Sequence, residues 1–301
     1  MIAPPSGVLL VDKPAGITST RALGMARRAL AAAKAGHTGT LDPFATGLLP
    51  LVFGEATKFS RFLLDSAKSY EATLSLGEET DSGDPECSVR RITDEMPISP
   101  QIDDVLCKFT GDILQTPPMH SAIHHAGKRL YEYAREGVEV PRNPRQVHVF
   151  ALQRVQYEGR RLVLSVTCSK GTYVRVLAAD VGRALGCGAY LAALRRTAVG
   201  AFSVAAAASL DELAAMGAGE ACKRLLPPEV LVAGLPRIEA DVETAVRFSH
   251  GIAIDAPELP AEGHFAVFGA GGAFLGVGER QGGQLAPSRL VAERPKSPDF
   301  A

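Results

Sequence analysis

A single carboxylate lies in the most unusual segment of the chain, GHTGTLDPFATGLLP, residues 36–50. Three glycines in this segment permit backbone geometry that other residues resist, and Pro43 stiffens the position after Asp42. A carboxylate held in such a loop is either a positioned catalytic group or a turn residue, since Asp-Pro commonly starts turns. The loop by itself leaves both interpretations open.

A tyrosine and an arginine two residues apart form the second candidate. In CSKGTYVRVLAAD, residues 168–180, Gly171 breaks a strand and a helix follows. Tyr173 and Arg175 therefore stand at a strand-to-helix junction, from which both can reach a cleft at the strand's end. An arginine beside a carboxylate keeps that carboxylate ionised and oriented. The alternative is a surface arginine next to a half-buried tyrosine.

Hydrophobic periodicity predicts the elements that would position these side chains. The helices are predicted over 20–34 with Thr18 or Ser19 as cap, and over 54–67, 102–113, 127–137 and 172–186. The strands are predicted over 7–12, 69–77, 146–157, 161–168 and 191–202, with a turn at Glu158-Gly159 and a surface connection over 78–101. This pattern predicts an α+β domain built on a largely antiparallel sheet. Prolines at 227, 228 and 236 mark a boundary, after which Gly-rich short segments predict a small β module.

Composition excludes several classes of protein. No window holds the 18 or more uncharged apolar residues of a membrane span, and no basic region precedes Asp12, so neither a membrane protein nor a signal peptide is predicted and the expected location is the cytoplasm. The five cysteines lack C-x-x-C spacing and the histidines lack metal-ligand spacing, so we expect no disulfide framework and no metal site. The formal net charge is −1, and residues 231–301 carry −3, so any nucleic-acid surface must be local.

Five ordered segments together resemble the TruB family of pseudouridine synthases. They are VDKPAGITS, GHTGTLDPFATGLLPLVFGEATKFSRFL, KSYEATLSLGEETDSGD, QTPPMHSAIHHAGKRLYEYAREG and CSKGTYVRVLAADVGRALGCGAYLAALRR. The resemblance runs from Gly7 to Phe202, and FLGVGERQGGQLAPSRLVAE resembles the PUA-like tail of the bacterial enzymes. It implies an α+β pseudouridine synthase fold, with a largely antiparallel mixed sheet flanked by helices, over residues 1–228. It also implies an RNA-clasping insertion at about 115–146 and a small PUA-like β-barrel domain over 235–301.

Carried over residue by residue, the resemblance makes Asp42 the catalytic carboxylate, paired with Arg175. It implies that Tyr70 stacks on the flipped-out base, that Tyr173 lines the pocket, and that Leu194 closes the pocket's apolar wall. The arginine is expected to lower the pKa of Asp42, which suits attack as a nucleophile or action as a base. The sequence leaves the choice between those two roles open.

The remaining implied roles concern RNA contact and support. His37 would contact the substrate RNA near the target uridine, and Lys13 and Pro14 would support the active-site loop rather than react. Four basic side chains in or beside the insertion are predicted to face RNA: Lys128, Arg129, Arg142 and Arg145.

The implied activity is isomerisation of uridine to pseudouridine at position 55, in the T arm of tRNA. The target base would be flipped out of its stack, as enzymes that act on bases require. No redox change occurs, so no cofactor is expected. The expected partner is the tRNA T-arm stem-loop, and we expect a monomer with no obligate protein partner.

Two alternatives come from other classes. A non-catalytic RNA-binding or tRNA-folding protein could keep the same fold, although intact Asp42, Tyr70 and Arg175 count against it. A hydrolase could use the Asp42 loop, but no second carboxylate or Ser-His partner occurs in a recognisable arrangement.

Overall fold

The computed structural model describes residues 4–121, 123–256, 258, 260 and 262–292. Residues 1–3 and 293–301, at the ends of the two expected domain ranges, lie outside this part, as does Ala122 of the expected insertion. Strands and helices combine in an α+β architecture, as the sequence predicts. No helix among the described residues is long and apolar enough to cross a membrane.

The strands are numbered in chain order. They are β1 (Gly7–Lys13), β2 (Ala35–His37), β3 (Thr46–Phe53), β4 (Lys68–Leu76), β5 (Glu78–Glu79), β6 (Arg90–Arg91), β7 (Gly111–Gln115), β8 (His124–His125), β9 (Lys128–Arg129), β10 (Arg145–Glu158), β11 (Arg161–Cys168), β12 (Ala189–Val199), β13 (Phe202–Ser203), β14 (Ala208–Ser209), β15 (Arg237–Glu239), β16 (Ile254–Asp255), β17 (Gly263–Phe268), β18 (Phe274–Gln281) and β19 (Gln284–Leu290).

The helices are numbered in the same way. They are α1 (Ser19–Ala29), α2 (Ser60–Leu64), α3 (Ser99–Lys108), α4 (Leu130–Arg135), α5 (Val174–Ala184), α6 (Leu210–Ala215), α7 (Ala218–Cys222) and α8 (Val242–Ser249). Short 3-10 helices cover Gly54–Phe59, Val204–Ala206, Pro228–Val232 and Ala270–Gly272.

One large sheet organises the N-terminal part of the chain. Its strands run in the order β14-β1-β3-β12-β4-β11-β10-β7, with β13 added to β12 and β2 added to β3. The β1–β14 and β12–β3 pairs are parallel, and the neighbouring pairs β1–β3, β12–β4, β4–β11, β11–β10 and β10–β7 are antiparallel. The sheet is therefore mixed and largely antiparallel, which confirms the prediction.

Several predicted helices are shorter than the periodicity indicates. Thr18 caps α1 by accepting a hydrogen bond from the backbone N–H of Arg21 at 3.1 Å, but α1 ends at Ala29 rather than at residue 34. Ala31 has a positive φ of 51°, so the chain turns out of the helix there and enters β2. The segment predicted as one helix over 54–67 divides into a 3-10 helix and the short α2.

Long-range strand pairing accounts for the other differences. The predicted helix over 102–113 is helical only to Lys108, because Gly111–Gln115 pairs with β10 as the edge strand β7. The predicted basic helix over 127–137 begins as the small hairpin β8–β9 and becomes helical at Leu130. In both places tertiary pairing overrides local helical propensity.

The large sheet has a core on each face. Helices α1, α3, α5 and α6 pack on one face, around residues such as Leu49, Leu74 and Leu164. The second face of β1 and β3 packs instead against the C-terminal part of the chain, in a cluster that joins Val8, Phe59 and Phe268. The C-terminal strands form their own five-stranded sheet in the order β15-β17-β18-β19-β16, covered by α8. This is the expected small PUA-like module.

The segment between the two parts is packed rather than free. Leu226 exchanges two backbone hydrogen bonds of 2.8 Å with Val8, and Leu231 and Val232 are buried in the cluster shared by both parts. The proline-rich stretch read from the sequence as a domain boundary is therefore itself part of a core.

Candidate active site

Five of the residues that the resemblance assigns to catalysis or to the pocket line one cavity of about 650 Å³. Asp42 comes from the loop between β2 and β3, Tyr70 from β4, Leu194 from β12, and Tyr173 and Arg175 from the start of α5. These five positions span more than 150 residues of sequence, and the order of strands in the sheet brings them together.

Among the residues predicted to bind the substrate, His37, Lys128 and Arg129 do not line this cavity. His37 lies on β2, where it pairs with Leu51, and its Nδ1 is buried without a hydrogen-bond partner. Burial lowers the pKa of His37, and the nearby Arg196 cation lowers it further. Lys128 and Arg129 form β9 in the insertion, away from the cavity.

The basic side chains of the insertion differ in how far they are already paired with other groups of the protein. Lys128 lies 2.5 Å from a carboxylate oxygen of Glu136, and the guanidinium of Arg142 donates to the carbonyl oxygen of Pro117 at 3.1 Å and to Glu139 at 2.7 Å. Arg145, by contrast, is exposed and contributes to the cavity lining. Arg145 is thus the basic residue of this group closest to the candidate site.

The loop that carries Asp42 is held by side chains from the first strand and helix. The hydroxyl of Ser19 accepts a hydrogen bond from the N–H of Leu41 at 2.8 Å and donates to the carbonyl oxygen of the same residue at 3.0 Å. On the other side of Asp42, the ammonium of Lys13 donates to the carbonyl oxygen of Pro43 at 3.3 Å and to that of Pro14 at 2.8 Å. Both neighbours of the carboxylate are therefore anchored.

Lys13 is fully buried, although lysine is almost never so unless it is paired. Burial lowers the pKa of Lys13 to about 8, while the Asp42 carboxylate acts in the opposite direction. Its Nζ also donates to the carbonyl oxygen of Ile17 at 2.8 Å. The ammonium is enclosed by backbone oxygens of two chain segments, so it links the turn after β1 to the Asp42 loop.

Arg175 joins two carboxylates. Its Nε lies 3.0 Å from Oδ2 of Asp42, and its Nη1 lies 3.1 Å from Oδ2 of Asp84. The same guanidinium donates to the carbonyl oxygens of Ser82 at 3.2 Å and His120 at 2.7 Å. The side chains of Arg175 and Asp84 are about 95% buried, whereas that of Asp42 is 36% exposed. The arginine thus contacts Asp42 from the protein interior and leaves the other side of the carboxylate open to the cavity.

The pKa of Asp42 differs from the sequence-based expectation. Burial is the largest influence and raises the pKa above its ordinary value; Arg175 and Lys13 oppose this, and the Asp84 carboxylate reinforces it. The expectation of a lowered pKa was therefore wrong, because it counted the arginine and not the loss of water around the carboxylate.

Tyr70 and Leu194 form the wall beside the carboxylate. Leu194 is 8% exposed, and Tyr70 is half-buried on the same face of the sheet. Burial raises the pKa of the Tyr70 phenol, and the neighbouring Arg196 cation opposes that rise. A flat aromatic face and an aliphatic wall beside a fixed carboxylate suit a planar ring.

Tyr173 is fixed through its backbone by a residue that the sequence analysis did not single out. The side-chain amide of Gln115 accepts a hydrogen bond from the N–H of Tyr173 at 3.0 Å and donates to its carbonyl oxygen at 3.4 Å. Gln115 is 2% exposed and ends β7 at the start of the insertion. It therefore ties the base of the insertion to the pocket wall.

Asp84, Gln115 and Arg196 are the site residues that the sequence reasoning missed. Each stands at an end of a segment that carries the family resemblance: Asp84 closes 68–84, Gln115 opens 115–137 and Arg196 closes 168–196. Their position in those segments was the available signal. Among the described residues, no group of three His, Cys, Asp or Glu side chains could hold a metal ion.

Comparison with known families matches almost the whole chain. Residues 27–174 match the family model described as TruB family pseudouridylate synthase (N terminal domain). Residues 175–233 match the tRNA pseudouridylate synthase B C-terminal domain, and residues 236–291 match Pseudouridine synthase II TruB, C-terminal.

Curated relatives are similar over nearly their full length. The chain is 52% identical over 286 residues to the tRNA pseudouridine synthase B of Dechloromonas aromatica (strain RCB), covering 95% of each chain. It is 51% identical over 289 residues to the protein of that name from Azoarcus sp. (strain BH72), again covering 95% of each.

Solved structures share the fold. A chain in the crystal structure of a Cbf5-Nop10-Gar1 complex is 26% identical and superposes with a TM-score of 0.73, over 93% of this chain and 80% of that one. A chain in the archaeal box H/ACA sRNP Nop10-Cbf5 complex is 23% identical with a TM-score of 0.76, over 99% and 89%. Both comparisons agree with the pseudouridine synthase fold expected from the sequence.

Proposed function

Because the chain belongs to the TruB family of tRNA pseudouridine synthases, we propose that it isomerises uridine at position 55, in the T arm of tRNA, and that Asp42 is its catalytic carboxylate. The observation that carries this proposal is the ion pair between Asp42 and the buried Arg175 at the edge of an aromatic-lined cavity. A buried cation that contacts one side of a carboxylate fixes its direction and leaves its other side free to react.

The reaction breaks the bond between N1 of uracil and C1′ of ribose, and forms a bond between C5 of uracil and C1′. The hydrogen on C5 is released to solvent, and a proton is gained at N1, so atoms and charge balance without a redox partner. Asp42 acts in its ionised form, either on the sugar carbon as a nucleophile or on a sugar proton as a base. Arg175 and Lys13 favour that ionised form against the effect of burial.

The base must leave its stack to reach this carboxylate. Tyr70 offers an aromatic face on which the flipped uracil stacks, and base–aromatic stacking contributes roughly 1–3 kcal/mol. Tyr173 and Leu194 confine the ring while it turns, and His37 contacts the RNA outside the cavity. Every one of these side chains comes from a single chain, so the proposed reaction needs no second subunit.

The proposal divides the chain into a catalytic domain, residues 1–228, and a PUA-like domain, residues 235–301. The insertion at about 115–146 supports RNA binding through Lys128, Arg129 and Arg145. Stem-loop recognition through shape and backbone suits this arrangement, because RNA stems expose little base-edge information to side chains.

A tritium-release assay tests the proposal directly. The substrate is tRNA labelled at C5 of the uridine at position 55 only, so release of tritium to water reports isomerisation there. The wild-type protein should release the label in full, and Asp42→Asn should release none while it still binds tRNA. The matched control is Asp103→Asn, because Asp103 is an exposed carboxylate that pairs with Arg154 outside the cavity.

Three outcomes are informative. Turnover retained by Asp42→Asn would remove the aspartate from the mechanism. Wild-type protein that binds tRNA without releasing tritium would favour the non-catalytic RNA-binding alternative. Release from a label at another uridine, with none from position 55, would keep the enzyme class and refute the proposed target site.

A further inference from the structure

Arg196 is the largest fully buried side chain in the described part of the protein, and it lines the candidate active site. It is 1% exposed and lies on β12. Three acceptors of its guanidinium are backbone carbonyl oxygens. Its Nε donates to Leu48 at 2.7 Å, its Nη2 to Gly39 at 3.3 Å and its Nη1 to Thr40 at 3.5 Å.

These three carbonyls lie on both sides of Asp42 in the chain. Gly39 and Thr40 precede the carboxylate in its loop, and Leu48 follows it on β3. One side chain therefore ties the incoming and outgoing arms of the Asp42 loop to each other. Ser19 and Lys13 contact the middle of the loop, whereas Arg196 joins its two ends.

The backbone of Arg196 is as closely fixed as its side chain. β12 and β3 pair in parallel at Arg196 and Gly47, and a Cβ atom on Gly47 would lie 2.3 Å from the carbonyl oxygen of Arg196. Gly47 also has a φ of 100°, which a side chain would strain. Only glycine allows the two backbones to approach this closely, and that approach fixes the position of the Arg196 backbone from which the side chain extends.

Arg196 also faces the proposed stacking residue. It is the direct register partner of Tyr70 across β12 and β4. Its charge lowers the pKa of the Tyr70 phenol against the larger effect of burial, so the cation and the phenol are close enough to interact. The same guanidinium thus contacts both ends of the Asp42 loop and the tyrosine in the wall beside the carboxylate.

We infer that Arg196 is a positioning residue that sets the distance between Asp42 and the Tyr70 ring. This inference rests on the proposed function, because it assigns Asp42 to the reaction and Tyr70 to the base. Arg196 reaches the reacting groups through the loop backbone and through Tyr70.

Arginine suits this task for a geometric reason. Its planar guanidinium presents donors in fixed directions, so it spans three acceptors at once, whereas lysine offers a compact charge on a flexible stem. Burying a cation costs free energy, and that cost is tolerated where the charge is fully hydrogen-bonded. A hydrophobic residue of similar volume would fill the space and leave the three carbonyls without these donors.

The test compares two arginine-to-lysine substitutions at adjacent positions. Arg196→Lys keeps the charge and removes the planar guanidinium. Arg195→Lys is the matched control, because Arg195 points to the other face of the sheet, where its guanidinium pairs with both oxygens of Asp12 at 3.1 and 2.7 Å. Both are assayed on the uridine-55 substrate at a temperature well below the unfolding midpoint of each variant.

We expect Arg196→Lys to lower kcat at least about tenfold with KM changed less than about threefold, since misplacement of reacting groups by about 1 Å costs as much as about 100-fold in rate. Arg195→Lys should keep both constants near the wild-type values. In Arg196→Ala, added guanidinium should restore part of kcat, whereas ammonium at the same concentration should not. The double variant Arg196→Lys/Tyr70→Phe should lose less than the product of the two single losses, because the two residues are in contact.

Several results would overturn the inference. One is Arg196→Lys with wild-type kcat, and another is a loss confined to KM, which would make Arg196 a binding residue. Equal losses in the two lysine variants would show an effect that is not specific to Arg196. The absence of guanidinium rescue in a folded Arg196→Ala protein would show that a planar cation is not what this position requires. The wild-type protein and Asp42→Asn are measured in the same assay, so inactive wild-type protein or active Asp42→Asn would instead indicate failure of the proposed function.

Discussion

Arg175 and Asp84 form a buried ion pair, 3.1 Å from Nη1 to Oδ2, directly behind the proposed catalytic carboxylate. Asp84 is itself held by the hydroxyl of Ser82 at 2.6 Å and by the N–H of Glu86 at 3.0 Å. The arginine is therefore fixed by a partner that solvent does not reach. Its Nε presents one hydrogen bond to Asp42, and the orientation of that bond depends on residues from three different parts of the chain.

Asp84→Asn tests this dependence. Removing one partner of a buried ion pair typically costs about 3–5 kcal/mol, and here Asp42 and two carbonyls remain as acceptors, so we expect a loss of up to about 3 kcal/mol in the free energy of unfolding. The Asp84 charge raises the pKa of Asp42, so the acid limb of the kcat profile should move to lower pH. Denaturant unfolding and kcat between pH 4 and 8 measure both effects.

The control for that variant is Asp180→Asn, which breaks a surface pair with Arg183. Exposed pairs contribute roughly 0–1 kcal/mol, so its stability should stay within that range and its pH profile should be unchanged. An unmoved acid limb in Asp84→Asn would contradict the electrostatic coupling of the two carboxylates.

The raised pKa of Asp42 has a consequence for stability. When the folded-state pKa of a carboxyl lies above its unfolded value, its stabilising contribution is present at low pH and is lost as pH rises through the folded-state pKa. At neutral pH the ionised carboxylate thus costs stability, and Asp42→Asn should unfold at a higher temperature than the wild-type protein. The difference should shrink as pH falls below the pKa of Asp42. A lower melting temperature for the Asn variant at neutral pH would contradict the direction of the shift.

Two substitutions of Tyr70 distinguish a role of its aromatic ring in stacking from a role of its hydroxyl group. If its ring stacks on the flipped base, Tyr70→Ala should lose roughly 1–3 kcal/mol of RNA binding and most activity, whereas Tyr70→Phe should retain binding because it keeps the aromatic face. Kd for the T-arm stem-loop and single-turnover rates for both variants give the comparison. Small and equal effects would indicate that Tyr70 only packs against the core.

Salt dependence tests the proposed RNA surface. Log K should fall with log salt by roughly 0.7–0.9 for each phosphate neutralised. Arg145 is exposed at the cavity, whereas Arg142 is occupied by Glu139 and Pro117, so Arg145→Gln should reduce the slope by about one contact and Arg142→Gln should reduce it less. Arg154→Gln, at a residue paired with Asp103, is the control. A slope near zero in the wild-type protein would refute electrostatic binding by this surface.

The core shared by the two parts of the chain predicts cooperative unfolding. Phe59 is fully buried beside the Asp42-bearing sheet, and its ring centroid lies 5.1 Å from that of Phe274 in the C-terminal sheet. Phe59→Ala should cost about 3–5 kcal/mol and destabilise both parts together. Calorimetry should show one transition in the wild-type protein and in the variant. Two separate transitions would show that the parts fold independently, and truncation after Pro228 would then leave a folded enzyme.

The sequence alone determined the fold class, the family and five of the residues that line the cavity. It did so because Asp42, Tyr70, Tyr173, Arg175 and Leu194 stand in segments whose order and composition are highly specific. Helix and strand periodicity located most elements, and it failed where pairing across the sheet outweighed local propensity, as in Gly111–Gln115.

Only the tertiary structure decided how the carboxylate is held and charged. The ion pair of Arg175 with Asp84 and the three carbonyls bound by Arg196 join positions 91 to 157 residues apart, which no local pattern reveals. The pKa of Asp42 likewise depends on how much water the fold removes from it, and burial outweighed the nearby cation that the sequence had indicated. The residue types indicate which side chains can react. The packing of the fold determines the distances between those side chains, their exposure to water and therefore their charge.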